Sequence, residues 1–393
     1  MRGRAISLMV LVGIALVANA CGTSGPTPSP AATAVATDQP TPEGSGPVAT
    51  SAGLTCPTKL KVGIVTDVGR VDDKGINQST YEGMQAAATE APSCFDTDYI
   101  ETTTAADYAR NIEAFTDAGF DIVIAVGPLL ANDLGDAAAA NPTGTFISVD
   151  GAPAGCPSGA APDCIAHDAT WSTNGESLFF AEDEAGYLAG VLAASMSKAG
   201  HVGVVGGPQG VAAFERYVEG YVNGARSVKA DLLVDAVYAT SDAEPPQGND
   251  AAKPMVDAGA DVIFAAAGRT GNGALSAACE AENVLAIGAD VDQYAAIPEV
   301  RKCLLSSATK NVKGAVHDAL LRIATGEFKG GQHLDNAATG GIGLAPFHDF
   351  DAQVPSAVKD LLATTLAGLA DGSITTGVTV DGSTAVPASG PTN

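Results

Sequence analysis

The chain has 393 residues, enough for two lobes of about 120–180 residues each. Apolar residues make up 46% and charged residues 17%, which excludes an unfolded acidic chain. Asp and Glu number 45 against 20 Lys and Arg, a formal charge of −25 that repels phosphate polymers and anionic lipid, so nucleic-acid binding and docking through basic patches are excluded.

In chain order, residues 1–20 read as a secretory signal peptide. Arg2 and Arg4 precede an apolar stretch over 7–20 that is too short for a spanning helix, which needs about 20 apolar residues. Ala18, Asn19 and Ala20 then lead into Cys21, a pattern similar to a bacterial lipobox, with Cys21 as the lipidated N-terminus. Of the 32 residues from 22 to 53, 27 are Gly, Pro, Ser, Thr or Ala, so no core can form there. Residues 21–53 are therefore expected to be a lipidated N-terminus and flexible linker, and 381–393 a flexible tail.

Setting Cys21 aside leaves Cys56, Cys94, Cys156, Cys164, Cys279 and Cys303, an even number in an exported chain. Six cysteines allow fifteen pairings. Cys56 and Cys94 each precede one of the first two strands, Cys156 and Cys164 flank a short loop, and Cys279 ends a helix near the strand that Cys303 begins. The expected bridges are 56–94, 156–164 and 279–303. No CxxC or His-containing ligand cluster points to a metal site, and no cofactor is expected.

The body alternates short β-branched runs with longer amphipathic stretches. Strands are expected at 59–67, 96–102, 120–127, 145–150, 201–207, 231–239, 261–268, 284–290 and 303–309, and helices at 77–91, 106–119, 182–200, 212–226 and 312–326. Continuous apolar strands separated by helices imply parallel sheets covered on both faces. The rhythm restarts near residue 201, so the fold class is α/β: two doubly wound parallel-sheet lobes with a hinge and an interlobe ligand cleft. Lobe I is assigned 54–175 and 309–340, and lobe II 176–308 and 341–380.

Ligands in open parallel sheets bind beyond the carboxyl ends of the strands. The first such turn holds Asp67, Asp72, Asp73, Asn77 and Gln78; the seventh, Gly268, Gly271 and Gly273; the eighth, Asp290 and Asp292; the ninth, Lys310. Each taken alone reads equally as helix capping or turn glycine. Together they combine amides, carboxylates, one ammonium and bare backbone, a set suited to a neutral polyhydroxyl or heterocyclic ligand.

The run KVGIVTDVGRVDDKGINQSTYEG (61–83), with EDEAGYLAGVLAA (182–194), GADVIFAAAGRTGNG (259–273), IGADVDQY (287–294) and SSATKNV (306–312), resembles the basic membrane protein family, the PnrA-like substrate-binding lipoproteins of ABC importers. The resemblance implies a type I periplasmic-binding-protein fold with three crossovers. It also implies capture of a nucleoside, often a purine nucleoside, by hinge closure, with ABC permease subunits as partners. Carried over by position, it implies ligand contacts from Asp67, Asp73 and Asn77 at the first turn, from Asp150, and from the Gly268 backbone. Asp290 is implied as acceptor for a ribose diol and Lys310 as donor to the same sugar. The chain departs from the family pattern at Ile76 and Pro128, where Phe is usual. A base then needs another face, which Phe214, Tyr217 or Trp171 could supply.

No GxSxG, HExxH, P-loop or GxGxxG after the first strand is present, and the histidines lie apart in sequence, so the chain is read as a binding protein and not an enzyme. The alternatives of the same fold are a sugar-binding or sensory protein, and more remotely a secreted nucleosidase or glycosidase. The expected setting is a monomer on the extracytoplasmic face of the cell membrane, held by a lipid anchor. Replacing Cys21→Ser is expected to release the exported protein from the membrane fraction; wild type found fully soluble after export would refute the anchor.

Overall fold

The computed structural model describes residues 53–153 and 173–378. Residues 1–52, Cys156, Cys164 and Trp171 lie outside them, and with them the signal peptide, Cys21, most of the linker and the 156–164 bridge; the tail does too. No helix among the described residues is long and apolar enough to cross a membrane.

The chain builds one sheet, then a second. The first receives β1 (Leu60–Val68), β2 (Phe95–Thr102), β3 (Ile122–Val126), β4 (Thr145–Val149) and β5 (Gly175–Phe180). The second receives β6 (His201–Gly206), β7 (Leu233–Tyr238), β8 (Val262–Ala266), β9 (Leu285–Asp290) and β10 (Leu304–Lys310). The chain then returns to the first sheet as β11 (Gly331–Asp335) and to the second as β12 (Ile342–Leu344). The orders are β11-β5-β4-β3-β1-β2 and β12-β10-β9-β8-β6-β7, one topology used twice. Only the last strands differ: β11 runs parallel to β5, and β12 antiparallel to β10. The two α/β lobes expected from the strand–helix rhythm are present.

The helices are α1 (Ile76–Glu90), α2 (Tyr108–Asp117), α3 (Ala131–Ala140), α4 (Glu182–Met196), α5 (Ala212–Val228), α6 (Pro245–Asp257), α7 (Gly268–Glu280), α8 (Gln293–Ala296), α9 (Val312–Ala324) and α10 (Ser356–Asp371). Strands β3 and β8 are buried along their whole length, as their uninterrupted apolar runs require. β5, β11 and β12 lie outside the strands expected from sequence. Their runs GESLFF, GQHLD and IGL are polar or short, and pairing from distant segments makes them strands. Because β5 pairs with β4 in the first sheet and β10 ends at Lys310 in the second, the chain changes sheets after Phe180 and after Lys310, not at the expected 175/176 and 308/309.

Three crossovers join the lobes: β5 to α4, β10 to α9, and β11 to β12. They run side by side. Ala181 N donates to Asp335 O (2.9 Å), Asn311 N to Gly341 O (2.8 Å), and Ala337 N to a Glu184 carboxylate oxygen (2.7 Å).

Among the described residues two bridges are present, Cys56–Cys94 and Cys279–Cys303, closing separations of 38 and 24 residues. Chain-entropy arguments give each about 3–4 kcal/mol. The first ties the approaches to β1 and β2, where Leu60 N donates to Cys94 O (2.7 Å).

In the second lobe α4 packs on α5 with backbone almost against backbone. Gly186 and Gly190 of α4 face Tyr217 O and Tyr221 O; Gly220 and Gly224 of α5 face Asp183 O and Tyr187 O. A Cβ on Gly190 would lie 2.1 Å from Tyr221 O, closer than any side chain can sit. Gly190→Ala is therefore expected to force the helices apart and cost about 1–3 kcal/mol, visible as a lower melting temperature; an unchanged melting temperature would show that the helices slide without penalty.

Candidate functional site

The strand ends of both sheets converge on one cleft, the place where open parallel sheets bind ligands. All nine residues singled out as ligand-binding line it: Asp67, Asp73, Ile76, Asn77, Asp150, Phe214, Gly268, Asp290 and Lys310. Pro128 and Tyr217 do as well, and so do Asp242 and Arg269, which the sequence reading passed over.

One end is organised around Lys310, the last residue of β10. Its side chain is 2% exposed. Its Nζ pairs with Asp150, lies 3.1 Å from Asp290 Oδ1 and 3.4 Å from Glu182 Oε1. Desolvation alone would lower the ammonium pKa; Asp150, Asp290 and Glu182 outweigh it and hold the pKa well above its ordinary value. Burial in turn pushes the Asp150 carboxyl up to about 7, with Lys310 opposing. Glu182, fully buried at the first turn of α4, also holds Arg216 of α5, whose Nε lies 2.6 Å from Glu182 Oε2.

Asp150 and Asp290 occupy matching places, just past β4 and at the end of β9, strands that correspond in the two sheets. Both have left-handed backbone, φ 61° and 66°. Asp tolerates this region better than most residues, and here it turns each carboxylate back onto the ammonium. Tyr217, one of the residues that could offer a base its face, is buried in the cleft wall: its hydroxyl donates to Asp290 Oδ1 (3.3 Å) and its ring centroid lies 5.4 Å from Lys310 Nζ.

The other end is built on the β1–α1 turn. Asp67 N donates to Asn77 Oδ1 (3.0 Å), which fixes that amide at the start of α1. Asp67 Oδ1 accepts from Val68 N (2.7 Å) and from the Tyr108 hydroxyl of α2. Asp73 behaves largely as a cap: its carboxylate accepts from Gly75 N (2.8 Å) and Gln78 N (3.0 Å). Gln78 turns away to Glu82, exposed Asp72 pairs with Arg70, and Asp292 caps α8, so these three turn residues are absent from the cleft wall.

The glycine turn GRTGNG needs correction. Only Gly268, with φ 53°, is in the wall. Gly271 and Gly273 lie inside α7, where a Cβ on Gly273 would stand 1.8 Å from Pro245 O. Gly273 serves the close packing of α6 on α7, and Gly271 packs on Ala265 of β8, where a Cβ would stand 3.1 Å from its carbonyl oxygen; neither faces the cleft.

Glu182, Arg216, Tyr108, Asp242 and Arg269 were missed as parts of the site. The available signal was charge inside apolar helical stretches, as in EDEAGYLAGVLAA and AAFERYVEGY. For Asp242 and Arg269 no local pattern marks the role.

Burial is the largest cause of an Asp67 carboxyl pushed up to about 6 from its ordinary 3.8; the Asp242 carboxylate acts the same way, and the bonds from Tyr108 and Val68 oppose. The folded chain thus holds this proton more tightly than the unfolded chain. Its contribution to stability is full below about 3.8 and is lost as pH rises through about 6. Melting temperature should fall more between pH 4 and pH 7 in the wild type than in Asp67→Asn; parallel profiles would show that Asp67 titrates normally.

The family profile described as "ABC transporter substrate-binding protein PnrA-like" matches residues 60–366. A protein of Lactococcus lactis named "ABC transporter nucleoside-binding protein BmpA" is 32% identical over 334 residues, covering 81% of this chain and 89% of that one. "Basic membrane protein A" of Borreliella burgdorferi is 29% identical over 287 residues, covering 72% and 78%. Among solved structures, an ABC transporter solute-binding protein from Aeropyrum pernix K1 superposes with a TM-score of 0.70 at 21% identity, covering 80% of this chain and 92% of that one.

Proposed function

Because the chain belongs to the family of PnrA-like ABC transporter substrate-binding proteins, we propose that its cleft captures a nucleoside, a purine nucleoside foremost, and delivers it to an ABC permease. The observation that carries this reading is the pairing of Lys310 Nζ with Asp290 Oδ1 at 3.1 Å at the polar end of the cleft. Side by side they offer a ribose one charged donor and one charged acceptor, and a carboxylate can take both hydroxyls of a vicinal diol. At the other end Asp67 and Asn77 offer acceptors and an amide to a base. Ile76 and Phe214 offer apolar surface for its faces, Phe214 by stacking and Ile76 by dispersion.

Capture is a shift of population and not a reaction. The walls come from both sheets, so a ligand that touches both favours the closed arrangement by its differential contacts. The three adjacent crossovers are the places where backbone rotation is absorbed. The name of the Lactococcus relative and the signal-like residues 1–21 support an extracytoplasmic, lipid-anchored nucleoside-binding protein.

Calorimetry against inosine, guanosine, adenosine, cytidine, uridine and free ribose tests the reading. Asp290→Asn keeps a residue that tolerates left-handed backbone and removes the charge, so nucleoside binding should weaken by about 1.5–3 kcal/mol. Binding of ribose alone, or an unchanged nucleoside affinity in the variant, would overturn the assignment.

A further inference from the structure

The second lobe also carries an acid and a base at the Asp67 end of the cleft. Asp242 lies in the turn between β7 and α6, and Arg269 in the first turn of α7. Thr270, fully buried, bolts these turns together: its N donates to Asp242 O (2.8 Å), its hydroxyl donates to Ser241 O (2.8 Å), and Glu244 N donates to that hydroxyl (2.8 Å). The left-handed Gly268 brings the backbone so close that a Cβ there would stand 3.0 Å from Asp242 O. Asp242 and Arg269 therefore leave one rigid unit side by side and both line the cleft. Arg269 also reaches toward the first lobe: its Cδ lies 3.8 Å from where a Cβ on Gly69 would be. Among the described residues, neither the Asp242 carboxylate nor the Arg269 guanidinium enters an ion pair or a hydrogen bond with another side chain.

Building on the nucleoside reading above, we propose that Asp242 and Arg269 read the edge of the base and select a 2-amino-6-oxopurine, the guanine pattern. A carboxylate only accepts and a guanidinium only donates. Placed side by side, they match an edge on which two adjacent N–H donors stand next to a carbonyl acceptor. Guanine presents N1–H and the 2-amino group to a carboxylate bidentately, with O6 beside them for the guanidinium. Hypoxanthine keeps O6 and N1–H but lacks the 2-amino donor. Adenine places an amino donor where the guanidinium needs an acceptor. Asp67, facing from the first lobe, adds acceptor character to the same end, and burial raises the pKa of Asp242 as it does that of Asp67.

The test is calorimetry of the full exported chain and two variants against guanosine, inosine and adenosine. The wild type should bind guanosine at least about tenfold more tightly than inosine, the discrimination expected of one bidentate pair. Asp242→Asn should bring the two within about twofold. Arg269→Gln, at an exposed position, should weaken guanosine and inosine together by about tenfold and adenosine much less. If guanosine and inosine bind the wild type alike, or if the ratio survives Asp242→Asn, the base-edge assignment is wrong while the nucleoside reading stands. If Asp242→Asn does not fold, the wild-type ratio and the Arg269→Gln series decide alone. If no nucleoside binds the wild type, both readings fall.

Discussion

The ammonium of Lys310, withdrawn from water among Asp150, Asp290 and Glu182, is the constraint to which the rest of the cleft answers. A buried charge without partners is costly enough that it would normally neutralise, so the three carboxylates are conditions of its being there at all. They come from different parts of the chain: Asp150 from the first sheet, Asp290 from the second, and Glu182 from the start of the helix that follows the first crossover. Without the ammonium the carboxylates of Asp150, Asp290 and Glu182 would be left with Arg216, beside Glu182, as their offset. The cluster thereby links the ends of both sheets to two crossovers, β5 to α4 and β10 to α9, and makes lobe arrangement and cleft electrostatics one problem.

Around this cluster the lobes are built to stay stiff. Glycine-lined contacts of α4 on α5 and of α6 on α7 leave no space for adjustment, and two disulfides pin the approaches to β1 and β2 and the route from α7 to β10. Interfaces packed this closely move as units and not by gradual deformation. Among the described residues three crossovers pass between the lobes, and backbone freedom between these stiff units is concentrated there.

The cleft is also chemically divided. The Lys310 end is a saturated ionic network in which a ligand must join existing partners. At the Asp67 end the acids outnumber the donors: Asp67, Asp73 and Asp242 face Arg269 and the Asn77 amide. Tyr108 and Val68 take up one oxygen of Asp67, and Asp73 is held by the start of α1. An anionic ligand meets repulsion there, whereas a neutral ligand with N–H donors gains bonds that water must otherwise supply. Burial raises proton affinity at both Asp67 and Asp242, and at Asp67 the Asp242 carboxylate adds to it.

Much of this was legible in the residues themselves. Apolar β-branched runs such as IVIAV and VIFAA can be little else than buried parallel strands, and Asp67, Asn77, Asp290 and Lys310 were found because strand ends are where such sheets bind. The disulfides 56–94 and 279–303 followed from the placing of each cysteine beside a strand. What local pattern could not supply were features whose cause lies far along the chain. β5, β11 and β12 are strands because a partner edge awaits them, Gly273 is a packing residue because α6 lies across it, and Glu182 joins the cluster because Lys310 reaches it from 128 positions away, bringing Arg216 with it. Sequence by itself determined which segments must bury and which turns stand at the strand ends, since hydrophobic period and turn chemistry are local. Only the tertiary structure decided which charges meet, because the energy of an ion depends on the partners that distant segments bring within a few ångströms of it, and no local pattern encodes that distance.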